Sequence, residues 1–353
     1  MKAKIALLAG DGIGPEIMEQ GVRVLNAIAK KYNHEFTVTE GAIGGAAIDA
    51  CGNPYPEETH QLCLNSDAVL FGAIGDPKYD NNPDAKVRPE QGLLAMRKAL
   101  GLYANLRPVK TFPALYSQSP LKEDRLVGVD FMVVRELTGG IYFGRPSEIS
   151  EDGLQSVDTC LYSKEEIRRV AINAFELAQK SKKKLTMVDK ANVLSTSRLW
   201  RKTVQEMSLD YPEVSVEYLF VDNAAMQLIL RPNQFDVILT ENLFGDILTD
   251  EASVLPGSIG LQPSASVGEK TAIFEPIHGS YPQAAGKNIA NPFGMILSVA
   301  MMLDYQFGLK DEAGAIVDIV DEALSAQVGT EDLFPENPLS TSVVGDWVIQ
   351  KLA

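Results

Sequence analysis

The chain of 353 residues has few of the residues that strap small proteins together: 3 Cys, 3 His and 2 Trp. Cys51, Cys63 and Cys160 are odd in number and contain no C-x-x-C pair, which argues against a disulfide framework and suits a reducing compartment. Positive charge is scarce, with 32 Lys and Arg against 47 Asp and Glu, a formal net charge of −15. A surface of that sign repels phosphate backbones and anionic headgroups, so nucleic acid and membrane surfaces are disfavoured partners. Small anionic substrates stay open, because a local basic pocket can oppose the global sign. No apolar run approaches the roughly 18 residues of a membrane span, and MKAKIALLAGDGIGPE meets Gly and Asp too soon for a signal peptide. The expectation is a cytosolic protein acting on a small molecule. What is abundant is ordinary globular material: 45% hydrophobic and 22% charged residues, with 28 Gly and 19 Pro. The length suggests two domains.

Short apolar, β-branched runs alternate with amphipathic stretches, the pattern of an α/β protein with a largely parallel sheet. Residues 4–9 read as a strand, and a helix should begin near Pro15 with Ile17, Val24, Leu25 and Ile28 on its apolar face. Residues 67–75 and 126–136 read as further strands. Ser163 and Glu166 form a capping box ahead of a helix expected to end in the basic run Lys180, Lys182, Lys183 and Lys184. Residues 184–193, 214–230 and 235–255 each read as a buried strand, a polar residue and a helix. Arg135, Lys190, Asp222 and Asp246 all lie just past an apolar run, where open α/β sheets bind ligands. Domain boundaries are expected near Leu102 and near Pro256-Gly257.

Asp246 and Asp250 are spaced i, i+4, so a helix brings both carboxylates to one face. They are either a solvated acidic pair or oxygen ligands for a hard divalent cation, with Asp222 a third carboxylate at a similar position. Arg97, Arg107 and Arg135 are candidates for a carboxylate clamp, although Arg97 also reads as an ordinary helix-surface arginine and Arg107 as an exposed side chain on an extended segment. Lys190 is a candidate base or a plain surface lysine, and Tyr142 a proton donor or a packed aromatic. The GDGIG segment is not a Rossmann G-x-G-x-x-G, since Pro15 stands beside Gly14, and no GKS or GKT exists. The segment 277–292 offers His278, Gly279, Ser280, Gly286 and Asn291 to an adenosine moiety; His278 has no metal-spaced partner.

GDGIGPE (10–16), RELTGGIYFG (135–144), VDKANVL (188–194), ENLFGDILTDEASVLPGSIGLQPSASVG (241–268) and the HGS…GKNIANP segment follow one another over nearly the whole chain. Together they resemble the isocitrate/isopropylmalate dehydrogenases, the decarboxylating β-hydroxyacid dehydrogenase family. The resemblance implies that family's two-domain fold, with a discontinuous cofactor domain (1–102 plus 256–353) and a substrate, metal and dimerisation domain (103–255). It implies that Arg97, Arg107 and Arg135 bind substrate carboxylates, and that Asp246 and Asp250, with Asp222 of a second copy, ligate Mg²⁺ or Mn²⁺. It also implies Lys190, again from the second copy, as the base for the C2 hydroxyl, Tyr142 as the acid, and a homodimer. Substrate choice in such enzymes rests on the segment before the first arginine, here Glu90, Leu93 and Leu94. Two leucines suit an isopropyl group and Glu90 repels a further carboxylate, which points to 3-isopropylmalate and leucine biosynthesis. D-malate, tartrate and homoisocitrate are the rival substrates. A non-catalytic regulatory subunit is the rival from another class, opposed by the presence of all the Arg, Lys, Tyr and Asp candidates. Relatives commonly carry Asp after the HGS motif where this chain has Gln283; a glutamine can bond ribose hydroxyls, so the expected cofactor is NAD, with less discrimination against NADP.

Overall fold

The computed structural model describes residues 1–80 and 85–353. Along the described residues the strands are β1 (Lys2–Gly10), β2 (Glu35–Glu40), β3 (Ala68–Ala73), β4 (Ala104–Lys110), β5 (Asp130–Glu136), β6 (Ser147–Ile149), β7 (Ser156–Asp158), β8 (Lys184–Asp189), β9 (Ser215–Phe220), β10 (Val237–Thr240), β11 (Pro263–Val267) and β12 (Ile273–Pro276). The chain divides into two units. One holds residues 1–102, 112–118 and 256–353; the other holds 103–111 and 119–255.

In the first unit the strand order is β2-β1-β3-β12-β11. All neighbours are parallel except β11 and β12. The expected first helix is Gly14–Tyr32, with proline in its first turn and Asn33 closing it in the left-handed region (φ 58°). Ile17, Val24, Leu25 and Ile28 are fully buried, as the 3.6-residue period requires. β3 is buried at every position. Helix Phe293–Tyr305 is buried almost all round and forms the unit's centre, which explains its lack of a polar face.

In the second unit the order is β4-β5-β10-β8-β9, with only β4 and β5 antiparallel. Three expectations are corrected here. The strand read over 126–136 begins at Asp130, because Glu123–Leu126 is a helical turn and Gly128 takes a positive φ of 73°. The strand at 214–220 is not buried: β9 lies at the sheet edge with alternating exposure. The basic run does not finish a helix as a block. The helix Lys164–Lys180 stops first, Lys182 Nζ donates to the Asp130 carbonyl at 2.8 Å, and Lys184 starts β8 and pairs with Glu217 at 2.9 Å. The capping box at that helix's start is formed in both directions, Ser163 Oγ accepting from Glu166 N and the Glu166 carboxylate from Ser163 N. No helix among the described residues is long and apolar enough to cross a membrane.

Candidate active site

β10 is a short buried strand that runs directly into the helix Asn242–Ser253, so the i, i+4 spacing of Asp246 and Asp250 becomes one helical turn. Each carboxylate meets an arginine. The buried Arg135 on β5 pairs through Nη1 with Asp246 Oδ1, and Arg107 on β4 pairs with Asp250 at 3.2 Å. Arg107 also reaches Asn105 at 2.9 Å and Thr249 at 3.3 Å, and its side chain is only 17% exposed, so it is not the free extended arginine its segment allowed. The mutual repulsion of the two aspartates is offset here by two guanidinium groups. Gly245 makes this approach possible. A Cβ at that position would lie 2.4 Å from Thr240 Oγ1 and 2.6 Å from Arg135 Cγ.

Tyr142 ends a short 3₁₀ turn (Gly140–Tyr142), and its hydroxyl donates to Asp246 Oδ2 at 2.8 Å. Partial burial, then the Asp246 carboxylate, hold the phenol above the ordinary tyrosine range, so it is a protonated donor across physiological pH. Arg135, Tyr142 and Asp246 are thus one contiguous group, with Arg107 and Asp250 paired one turn along the same helix. Lys190 and Asp222 form a separate pair, Nζ to Oδ1 2.9 Å, at the C-terminal ends of β8 and β9. The lysine holds the Asp222 carboxyl below the ordinary range. Among the described residues no three His, Cys, Asp or Glu side chains gather into a metal-holding group. Asp246 and Asp250 nevertheless present half-open carboxylates (38% and 76% exposed side chains), the donor chemistry that Mg²⁺ or Mn²⁺ prefers.

The first unit contains a cavity of about 660 Å³ whose walls include Ile13, Ile259, His278, Tyr281, Asn291 and Asp332. His278 Nδ1 lies 3.0 Å from the Gly279 carbonyl, which makes Nδ1 the proton-bearing nitrogen and leaves Nε2 a bare acceptor. Nε2 is buried without a partner, and burial lowers the imidazole's pKa, so a neutral ring offers an unused acceptor at the cavity wall. Asn291 is held from both ends of its amide: Nδ2 donates to Asp332 at 2.9 Å and Oδ1 accepts from Phe293 N at 3.0 Å. Of the other residues expected in this segment, Gly279 is exposed on the cavity wall, Ser280 is buried beside it, and Gln283 and Gly286 are exposed outside the wall.

The GDGIGPE segment proves to be a brace for this loop. Gly12 is a close-approach glycine (φ 57°), where a Cβ would come 2.0 Å from the Ser280 carbonyl oxygen. That carbonyl accepts Ile13 N at 2.8 Å, and the Glu16 carboxylate accepts the N–H groups of Asn288 and Ala290. Asp11, buried, accepts three backbone N–H groups from Gly45, Ala46 and Gly75. Asp11, Glu16 and Asp332 escaped sequence reasoning, since the loop groups they hold, such as Gly45, Ala290 and Asn291, lie tens to hundreds of residues away.

Glu90, Leu93, Leu94 and Arg97 share the helix Pro89–Ala99. They do not all face one way. Leu93 packs partly against the core, Leu94 is 54% exposed, Glu90 is exposed near Gly75 and Ser280, and Arg97 pairs with Glu275 at 3.0 Å.

Arginines from two neighbouring strands paired to aspartates one turn apart on a helix suit a dehydrogenase of carboxylic acids, and the chain belongs to such a family. The model of the isocitrate/isopropylmalate dehydrogenase family matches residues 4–348. Within that family the chain is 56% identical over 351 residues to the 3-isopropylmalate dehydrogenase of Bacteroides fragilis (strain YCH46), covering 99% of this chain and 98% of that protein. It is 53% identical to the protein of the same name from Bacillus subtilis (strain 168), over 97% and 94%. The crystal structure of isocitrate dehydrogenase from Methylococcus capsulatus superposes with a TM-score of 0.86 at 32% identity, covering 99% of each chain.

Proposed function

We propose that this chain is an NAD-dependent decarboxylating dehydrogenase that converts 3-isopropylmalate to 4-methyl-2-oxopentanoate, a step of leucine biosynthesis. The observation that carries the reading is the Arg135–Asp246–Tyr142 group beside the Arg107–Asp250 pair on one helix. It sits in a chain more than half identical, end to end, to proteins named for that substrate. Arg97, Arg107 and Arg135 hold the two substrate carboxylates, each a planar fork matched to a planar acceptor. Asp246 and Asp250, with Asp222 of a second copy, would hold Mg²⁺ or Mn²⁺, which would supply Lewis acidity toward the substrate hydroxyl, and bound NAD would supply the hydride acceptor. Lys190, also from the second copy, helps remove the C2 hydroxyl proton in its neutral amine form. After carbon dioxide leaves C3, Tyr142 delivers a proton to the resulting enol from its hydroxyl, which in the free chain donates to Asp246.

In this reading the unit holding 1–102 and 256–353 binds NAD, with His278, Gly279, Ser280, Gln283, Gly286 and Asn291 toward the adenosine half. The bare Nε2 of His278 fits a donor such as an adenine amine. The 103–255 portion binds substrate and metal and forms a homodimer that completes two shared sites in the cytosol. Glu90, Leu93 and Leu94 select the isopropyl group over a charged arm. The test is kcat/KM for 3-isopropylmalate against D-malate, tartrate and homoisocitrate with NAD. The reading expects 3-isopropylmalate to be preferred by at least about tenfold, the scale of an apolar-pocket discrimination. Preference for another acid would discard the substrate assignment.

A further inference from the structure

We propose that Asn242 is a positioning residue that sets Arg135 and the turn carrying Tyr142 through a single side-chain amide. The inference rests on the substrate and acid roles given above to those two residues. Asn242 is 1% exposed at the start of the aspartate helix. Its Oδ1 accepts from Arg135 Nε at 3.1 Å and from Nη2 at 2.8 Å, and its Nδ2 donates to the Gly139 carbonyl at 3.3 Å. The amide has only one workable orientation, because a guanidinium can only donate and a carbonyl can only accept. Its backbone N–H is also committed, to Tyr162 Oη at 3.0 Å.

The turn it reaches is gripped from two further sides. Gly139 N donates at 2.8 Å to Glu136, a carboxylate with no exposed surface, which also accepts both donors of Thr138. The ring of Tyr162 fills the space where side chains of residues 139 and 140 would be: a Cβ would lie 2.6 Å from its ring at Gly139 and 2.4 Å from its hydroxyl at Gly140, where φ is 74°. Tyr142 follows two residues on and returns to Asp246, which Arg135 also holds. The contacts close a ring: Asn242 to Arg135 to Asp246 to Tyr142, and back through the turn to Asn242. A side chain with only an acceptor can hold the arginine but not the turn. One with neither group holds nothing.

This separation gives the test, made on the full-length enzyme with metal and NAD. Asn242→Asp keeps the acceptor for Arg135 and loses the donor to Gly139. It should leave KM for the hydroxy acid within about threefold while kcat falls about tenfold or more, the sensitivity expected when a catalytic group shifts by a fraction of an ångström. Asn242→Ala loses both contacts, so KM for the hydroxy acid should also rise about tenfold, the equivalent of one lost charge-assisted hydrogen bond. KM for NAD should stay within about twofold in both, since no NAD-facing group depends on Asn242, whereas general destabilisation would move both Michaelis constants. Equal changes in the two Michaelis constants, or wild-type kinetics in both variants, would overturn the proposal. If Asn242→Ala fails to fold, the nearly isosteric Asn242→Asp decides it alone by the KM-against-kcat split. Arg135→Lys and Tyr142→Phe serve as controls. Loss of activity in these with wild-type Asn242 variants removes only this inference, whereas wild-type activity in both controls removes the underlying site assignment as well.

Discussion

Replacing Gly245 by alanine sets two general effects against each other. A glycine inside a helix is worth about 1 kcal/mol less than alanine, so on propensity alone the change stabilises helix Asn242–Ser253. The surroundings oppose it. The new methyl would lie 2.4 Å from Thr240 Oγ1, 2.6 Å from Arg135 Cγ and 2.9 Å from Arg135 Cβ, all side chains held in place and two of these atoms on a buried stem. Inserting one methyl into such a contact typically destabilises by about 1–3 kcal/mol. The difference is a net loss of up to about 2 kcal/mol, and for a domain of this size each kcal/mol lowers Tm by about 2–4 °C. The expected fall is therefore up to about 4–8 °C. The effect on turnover is larger, because relief of the contact must push Arg135 away from Asp246 or tilt the helix that bears Asp246 and Asp250. A displacement approaching 1 Å at such groups lowers kcat/KM by about a hundredfold. Differential scanning calorimetry and steady-state kinetics on one preparation would measure both. A variant with a raised Tm and unaltered kcat/KM would refute the claim that Arg135 and this helix are packed to contact at residue 245.

Other perturbations follow from the same contacts. Tyr142→Phe should lower kcat by about a hundredfold or more, the usual contribution of a positioned general acid, with Tm almost unmoved because the ring is half-exposed; unchanged kcat would remove Tyr142 from the chemistry. Burial chiefly holds Glu241 at about 7, above its ordinary 4.5. Its protonated form is therefore favoured in the folded state, and the stability it confers is complete below pH 4.5 and lost as pH rises through 7, amounting to roughly 3 kcal/mol. Urea midpoints should fall over that window and fall less in Glu241→Gln; parallel curves would show that the group is not buried as a titrating acid. Chelation should abolish turnover and added Mg²⁺ or Mn²⁺ should restore it. Asp250→Asn should raise the metal concentration needed by about tenfold or more, as loss of one charged ligand would; an unchanged requirement would take Asp250 out of the metal site.

The parts of this architecture that were legible beforehand are those written in local spacing. The i, i+4 aspartates, the S-x-x-E box at Ser163 and the 3.6-residue stripe of Ile17, Val24, Leu25 and Ile28 each specify their own geometry within one or two turns. The alternation of apolar runs with helices marked a mostly parallel sheet, and the run of motifs marked the family. What stayed hidden depends on partners remote in sequence. Arg135 meets Asn242 across 107 residues and Glu16 meets Ala290 across 274, and no periodicity records such pairings. By its own residues the GDGIG segment read as a failed phosphate loop, because the Ser280 carbonyl that approaches Gly12 comes from a segment remote in sequence. The strand expected over 126–136 is shorter than its apolar run because Leu126 closes a helical turn and Gly128 takes a positive φ, a conformational break that apolar residues on both sides conceal.

The most direct test of the central claim is to supply 3-isopropylmalate, NAD and Mg²⁺ or Mn²⁺ and measure NADH and carbon dioxide together. The account predicts that both appear in equal amounts and that neither forms after chelation. NADH without carbon dioxide, or equal rates with and without a divalent ion, would contradict it.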